Sequence, residues 1–345
     1  MRFLSHHFIK NHANPHQKFL SLKARDLKTL TGAVLLITLL SFGGFSRTAA
    51  QEPTGEPTSP MQLSTPTLIP RPMPTTVLTQ EGVTLEIFFA ALPQGSTGLL
   101  HITGANVAGA RARFLNSLVD FFPVEGDGFY GLLAASMEQN PRQYDLDVFV
   151  WFADESRQTI NTQIEIVTGN FIRQAVTIPP EKAYLVDPEI ERDELARMEG
   201  VFSTFTLEKS WDNTGFALPI PGGSLTSPFG AFRNFNEAVQ TRHTGWDVRA
   251  TLGQPILAAA AGKVAYAGLL QIRGNAVVID HGYGVFTTYN HFQQIHVTRG
   301  QTITKDQVLG LVGNTGRTSG PHFHWEVAVN GVYVDAIQFM TMWLP

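Results

Sequence analysis

The sequence has no cysteine among its 345 residues. This absence excludes disulfide bonds, thiolate nucleophiles, iron–sulfur clusters and cysteine-type zinc fingers. Any metal site must therefore use histidine, aspartate or glutamate, and 11 histidines are available.

Charge is also scarce, since charged residues make up 16% of the chain and the formal net charge is -4. A chain with this charge lacks the excess of basic residues that nucleic-acid-binding proteins carry. The chain has no Gly-x-Ser-x-Gly elbow and no phosphate loop, so the enzyme classes that use them lack support. The length of 345 residues predicts about two domains, at roughly 150 residues each.

The first 50 residues predict an export signal or a membrane anchor. Six basic residues and one acid precede an uncharged, largely apolar run at 29–46. A basic flank before an apolar run keeps the basic end inside. The length of the run fits either a cleaved signal peptide or a short membrane span. Both alternatives predict that the rest of the chain lies outside the cytoplasm.

Residues 51–76 are rich in proline and threonine and predict an extended linker. Residues 77–180 contain short alternating or apolar runs separated by turn residues, which predict an Ig-like β-sandwich. Residues 181–216 predict a connector whose helix is capped by Asp187, begins at Pro188 and ends at Gly200. The predicted class is therefore all-β, with a short helix joining the sandwich to a glycine-rich β-domain at 217–345.

The sharpest motif of the second domain is Gly320-Pro-His-Phe-His324. It reads as the start of a strand, in which side chains at i and i+2 share one face. His322 and His324 are then neighbours on that face. They could serve a metal site, or they could merely line the edge of a strand.

Three further polar residues complete a candidate site. His243 and Asp247 flank Gly245, which favours a tight loop entering a strand, and His291 stands at the end of another apolar strand. Hydrolytic zinc sites use three protein ligands and leave a fourth position open. His243, Asp247 and His324 could supply those ligands. His291 and His322 would then be available to move protons and to stabilise the developing oxyanion.

The order His-x-x-x-Asp, Tyr-x-His and Gly-Pro-His-x-His within a glycine-rich β-domain resembles the M23 metallopeptidases. These are the lysostaphin and LytM-type endopeptidases, which cut peptides of bacterial cell-wall peptidoglycan. The resemblance covers roughly residues 217–340. It includes Asp280-His-Gly-Tyr-Gly284 and the segment Gly313-Asn-Thr-Gly-Arg-Thr-Ser-Gly-Pro-His322. Phe292 departs mildly, since the family commonly has leucine or methionine there.

The resemblance implies one zinc ion per chain held by His243, Asp247 and His324, with His291 and His322 as the catalytic histidines. It implies a zinc endopeptidase that hydrolyses peptidoglycan peptides. Contact with a membrane is expected only if the N-terminal segment stays uncleaved. Because every candidate catalytic residue lies in 217–345, that domain is expected to act without the sandwich.

Two other interpretations remain. One is a catalytically inactive M23-like protein that activates or binds cell-wall enzymes. The other is a lipoyl- or biotinyl-carrier barrel, suggested by the hairpin-like residue pattern near Lys305. A carrier would need an attachment lysine in a different local context, and it would not need the five-residue site.

Overall fold

A computed structural model describes residues 69–236 and 239–345. The predicted export signal or anchor at 1–50 and most of the predicted linker lie outside these described residues. None of the helices in the described ranges has the length and hydropathy needed to cross a lipid bilayer.

The described chain consists mainly of β-strands, as predicted for an all-β protein. The strands of the N-terminal half are β1 (Thr76–Gln80), β2 (Val83–Ile87), β3 (Leu92–Pro93), β4 (Thr97–Gly104), β5 (Val107–Phe114), β6 (Ser117–Asp120), β7 (Phe122–Val124), β8 (Gly128–Ala134), β9 (Arg142–Phe152) and β10 (Arg157–Val167). The connector contains β11 (Arg173–Val176), a 3-10 helix (Pro180–Val186) and α1 (Pro188–Phe202).

The elements of the C-terminal half are β12 (Ser224–Ser227), β13 (Phe232–Phe235), β14 (Val239–Arg242), β15 (Trp246–Arg249), β16 (Pro255–Leu257), β17 (Gly262–Leu270), β18 (Gly274–Gly282), β19 (Val285–Ile295), β20 (Thr302–Ile303), β21 (Val308–Val312), β22 (Phe323–Val329), β23 (Val332–Val334) and α2 (Ala336–Met340).

The first ten strands form two five-stranded sheets, ordered β1-β2-β4-β8-β7 and β3-β10-β9-β5-β6. Apolar side chains of both sheets, including Ile102 and Val148, pack into one buried core. A two-sheet sandwich is therefore present where the sequence predicted one. Its Ig-like character stays a prediction.

The centre of the first sheet, at β4 and β8, is buried on both faces, which explains the continuous apolar run of β4. Leu100 of β4 and Leu133 of β8 face the sandwich core. Their neighbours Leu99 and Leu132 point the opposite way into the core of the C-terminal half. Alternating side chains of the same strands thus serve two cores.

Aromatic side chains complete the shared core. Phe122 of β7 lies 5.4 Å from Trp211 and 5.2 Å from Tyr283, measured between ring centroids. The predicted domain boundaries stay a prediction. However, the shared packing argues against the expectation that residues 217–345 act alone, because excising them would expose this apolar surface to water.

Helix α1 begins where the sequence predicts, and its end is two residues later. The Asp187 side chain accepts a hydrogen bond from the backbone N–H of Glu189 at 2.9 Å, as an N-cap does. The predicted end at Gly200 is wrong, because the helix continues to Phe202. Phe202 and Met198 are buried against Phe286, so tertiary packing offsets the low helix propensity of the glycine.

The C-terminal half is built on a sheet whose central order is β12-β15-β22-β19-β18-β17-β20. Strand β22 is buried along its whole length and pairs antiparallel with β15 on one side and β19 on the other. Its register places His324 opposite Asp247 of β15 and opposite Asn290 of β19. Three adjacent strands therefore bring the predicted site residues to one place.

The shared core predicts that the two halves unfold together. Replacing Phe122, which is 1% exposed, with alanine should lower the free energy of unfolding by about 3–5 kcal/mol. Denaturant unfolding should show one transition, shifted as a whole. The control Leu118→Ala removes a side chain that is 56% exposed and should have little effect. Two separate transitions, only one of them shifted by Phe122→Ala, would contradict the shared core.

Candidate metal centre

A tight loop carries the chain from His243 into β15. At Gly245 a Cβ atom would collide with the backbone carbonyl of Trp325, so only glycine allows this loop to lie so close to β22. The loop places the His243 Nε2 atom 3.1 Å from the Asp247 Oδ1 atom. The sequence prediction of a tight loop entering a strand is confirmed.

Three potential ligand atoms converge on one point. The His324 Nδ1 atom lies 2.8 Å from Asp247 Oδ1 and 2.9 Å from His243 Nε2. Ligand atoms of a tetrahedral zinc site stand about 3.3 Å apart, given metal–ligand bonds of about 2.0 Å. The spacing therefore resembles that of a ligand triangle. All three residues are buried.

The far side of each of these residues is held by a partner. His243 donates a hydrogen bond from Nδ1 to the backbone carbonyl of Pro228 at 2.7 Å. Arg233 donates to the second carboxylate oxygen of Asp247, Oδ2. The His324 Nε2 atom faces the carboxylate of Glu326 at 3.3 Å. Outer partners of this kind fix the tautomer and orientation of metal ligands.

The charge states fit a cation at the centre. Burial lowers the pKa of His243 to about 4, so its Nε2 carries a lone pair at neutral pH. Burial opposes the ionisation of Asp247, but His243 and Arg233 outweigh it and hold its pKa well below the usual range. Burial also opposes the protonation of His324, yet Asp247 and Glu326 raise its pKa. The centre thus attracts positive charge, and its histidine and carboxylate donors are those that zinc prefers.

His291 reaches the centre from a bulge in β19. The pairing of β18 with β19 shifts register between Tyr289 and Phe292. Within this bulge His291 adopts a φ of 64°, a left-handed conformation that is uncommon for residues other than glycine. Its Nδ1–H donates to the carbonyl of Thr315 at 2.8 Å, which leaves Nε2 free. Burial lowers the pKa of His291 well below its usual value.

His322 completes the group just before β22 begins. Its Nδ1–H donates to the carbonyl of Gly320 at 2.9 Å, and its Nε2 lies 3.4 Å from Asp247 Oδ1. The rings of His322 and His291 have centroids 4.8 Å apart. The structure thus gathers all five site residues predicted from the sequence. Their division into ligands and catalytic histidines stays a prediction.

Sequence analysis did not identify Arg233 or Glu326 as parts of the site. Glu326 had a local signal, because it follows His324 by two residues on the same strand and shares its face. Arg233 had none, since β13 pairs with β14 and not with the strand of Asp247.

A cavity of about 50 Å³ lies at the centre and is lined in part by His243, His291 and His324. A groove of about 780 Å³ adjoins it, and helix α1, strand β14 and the loop at 136–138 form the walls of this groove. Thr241, Arg242 and Thr244 line both spaces, whereas none of the five site residues lines the larger groove.

Residues 241–336 match the profile described as Peptidase family M23. The matched segment contains all five site residues. These residues form a domain of peptidase family M23.

Relatives of known description align with this M23 domain. The DD-carboxypeptidase/endopeptidase Mpg of Neisseria meningitidis is 36% identical over 124 residues, 36% of this chain and 29% of its own length. The peptidoglycan DD-endopeptidase ShyA of Vibrio cholerae is 40% identical over 96 residues, 28% of this chain and 22% of its own length. The chain therefore spans less than a third of these curated relatives.

A solved structure resembles a larger part of the chain. A crystal structure from Pseudomonas aeruginosa described as a peptidase M23 superposes with a TM-score of 0.56 at 27% identity. The superposition covers 73% of this chain and 96% of that one. The resemblance in fold therefore extends beyond the M23 domain into the preceding residues.

The geometry predicts two classes of variant. Alanine at His243, Asp247 or His324 should abolish tight zinc binding, because a three-ligand site has little redundancy. His322→Ala and His291→Asn should keep their zinc, and asparagine is chosen at 291 because it tolerates the left-handed backbone. Metal analysis of the purified variants gives the measurement. Zinc retained by the His324 variant and lost by the His322 variant would mean that these two roles are reversed.

Proposed function

We propose that this protein is a zinc metalloendopeptidase that hydrolyses the peptide cross-links of bacterial peptidoglycan. One observation carries the proposal: potential ligand atoms of His243, Asp247 and His324 converge beside two further histidines whose Nδ1–H groups are bound to backbone carbonyls. The printed descriptions of the Neisseria and Vibrio relatives name cell-wall peptidase activities and support the choice of substrate.

The ligand set would be His243 through Nε2, Asp247 through Oδ1 and His324 through Nδ1. A zinc ion held there supplies a Lewis acid that makes water nucleophilic near neutral pH and polarises the scissile carbonyl. The buried surroundings strengthen the attraction between charges in the site. Arg233 keeps the second oxygen of Asp247 occupied, so that the first is presented to the metal.

His291 and His322 would manage the protons of peptide hydrolysis. The Nδ1–H group of each donates to a backbone carbonyl, so Nε2 is the atom of each ring that would exchange protons. One ring can take a proton from the attacking water and then, as imidazolium, donate it to the leaving amine. The other can stabilise the negative charge that develops on the carbonyl oxygen. Hydrolysis yields a carboxylate and an amine.

We also propose that the protein works outside the cytoplasm. The proposed substrate lies there, and the basic flank and apolar run of the first 50 residues favour export or anchoring. An inactive activator remains the alternative function. Inactive members of the family would be expected to lack one of the five site residues, whereas this chain keeps all of them.

The proposal predicts metal-dependent cleavage of peptidoglycan. The full-length protein should release peptide-cleaved fragments from purified peptidoglycan. Removal of metal with a chelator should stop this release, and added zinc should restore it. His322→Ala should bind zinc and reduce the rate about a hundredfold or more. Mass analysis of the soluble fragments provides the measurement. If the zinc-loaded protein releases nothing but still binds peptidoglycan, the inactive alternative is correct.

A further inference from the structure

The metal-ligand candidate His324 is supported by a chain of buried charges. Its Nε2 atom faces Glu326 Oε1 at 3.3 Å. Glu326 is 1% exposed and also accepts hydrogen bonds from Thr244 and from Asn290, the latter at 3.2 Å. The position of this carboxylate sets the direction in which His324 points.

Arg273 fixes Glu326 by a two-pronged contact. Its Nε donates to Glu326 Oε2 at 2.9 Å, and its Nη2 donates to Oε1 at 2.7 Å. Nη2 also donates to the hydroxyl of Tyr333 at 2.9 Å. Bidentate arginine–carboxylate pairs add geometric precision as well as energy. The carboxylate plane of Glu326 is thereby held.

Glu194 of helix α1 holds Arg273 in turn. It accepts hydrogen bonds from the Arg273 side chain at 3.0 Å and from the backbone N–H groups of Ile272 and Arg273 at 2.7 and 3.0 Å. The side chain of Glu194 is 4% exposed. Its helix precedes the segment 241–336 that matches the M23 family.

Docking of the helix does not by itself call for a carboxylate at this position. Met198 and Phe202, on the same side of α1, already pack into an apolar core. Buried ion pairs are often no more stabilising than apolar residues of similar size. Glu194 also docks the helix by accepting from the backbone N–H groups of Ile272 and Arg273, but a neutral acceptor could serve these, so it is the contact with the Arg273 side chain that calls for a charge.

We propose that Glu194 is a positioning residue of the metal centre, acting through Arg273 and Glu326 on the orientation of His324. The three charged groups carry two negative charges and one positive charge, so the network as a whole favours a cation at the neighbouring centre. Removal of the charge at Glu194 leaves Arg273 free to shift and to neutralise Glu326 alone. The connector helix thereby helps to set the geometry of the metal centre. This inference depends on the zinc site of the proposed function.

The test compares Glu194→Gln with Asp193→Asn in the full-length protein. Asp193 lies next to Glu194 on α1, but its side chain is 77% exposed, so it controls for the loss of a charge on this helix. Zinc affinity is measured by competition with a chromophoric chelator. The visible absorption spectrum of the cobalt(II)-loaded protein reports the geometry around the metal.

Glu194→Gln should weaken zinc binding by about tenfold, a loss typical of residues that support a metal ligand, and should alter the cobalt spectrum. Asp193→Asn should match the unmodified protein in both. If Glu194→Gln does not fold, Glu194→Asp takes its place, because it keeps the negative charge and withdraws the carboxylate from Arg273 by one methylene. It should change both readouts in the same direction by a smaller amount.

Failure of the inference is distinct from failure of the proposed function. An unmodified protein that takes up no zinc would contradict the proposed function. An unmodified protein that binds zinc, with a folded Glu194→Gln variant of equal affinity and unchanged cobalt spectrum, would contradict only the role of Glu194. A lower melting temperature without a change in the metal readouts would have that same meaning, since it marks a purely structural role.

Discussion

The convergence of three electron-rich atoms in a buried place is the constraint on which the rest of the site depends. The side chains of His243, Asp247 and His324 meet within hydrogen-bond distance of one another. A shared proton or a bound cation offsets the mutual repulsion of their lone pairs. Each is therefore held from behind, by a backbone carbonyl, by Arg233 and by Glu326. The surrounding fold can be understood as the framework for these three supports.

That framework extends beyond the M23 domain. The sandwich shares a core with the C-terminal half through Leu99 and Phe122. Helix α1 sends Glu194 into the charged network behind His324. Lys182 of the 3-10 helix donates to Asn314 and Thr318, in the loop that leads to His322. The connector thus contacts two segments that support the site, and the architecture is less modular than the sequence pattern indicates.

Local patterns predicted much of this protein, whereas contacts between distant segments could not be predicted. The Asp187 cap and the shared face of His322 and His324 follow from chemistry within a few residues, and one sequence suffices to see them. The bulge that rotates His291 into the site has no comparable signature. The pairing of Glu194 with Arg273 joins residues far apart in sequence, and a single glutamate on a helix gives no sign of its partner. The error at Gly200 has the same origin, because burial of Phe202 prolongs the helix.

The central claim is that the three converging atoms hold a metal ion. Anomalous diffraction at the zinc absorption edge, on crystals of the zinc-loaded protein, tests this most directly. The account predicts one strong peak in contact with His243 Nε2, Asp247 Oδ1 and His324 Nδ1, with Nε2 of His324 still facing Glu326. A peak elsewhere, or one coordinated by His322 in place of His324, would contradict it.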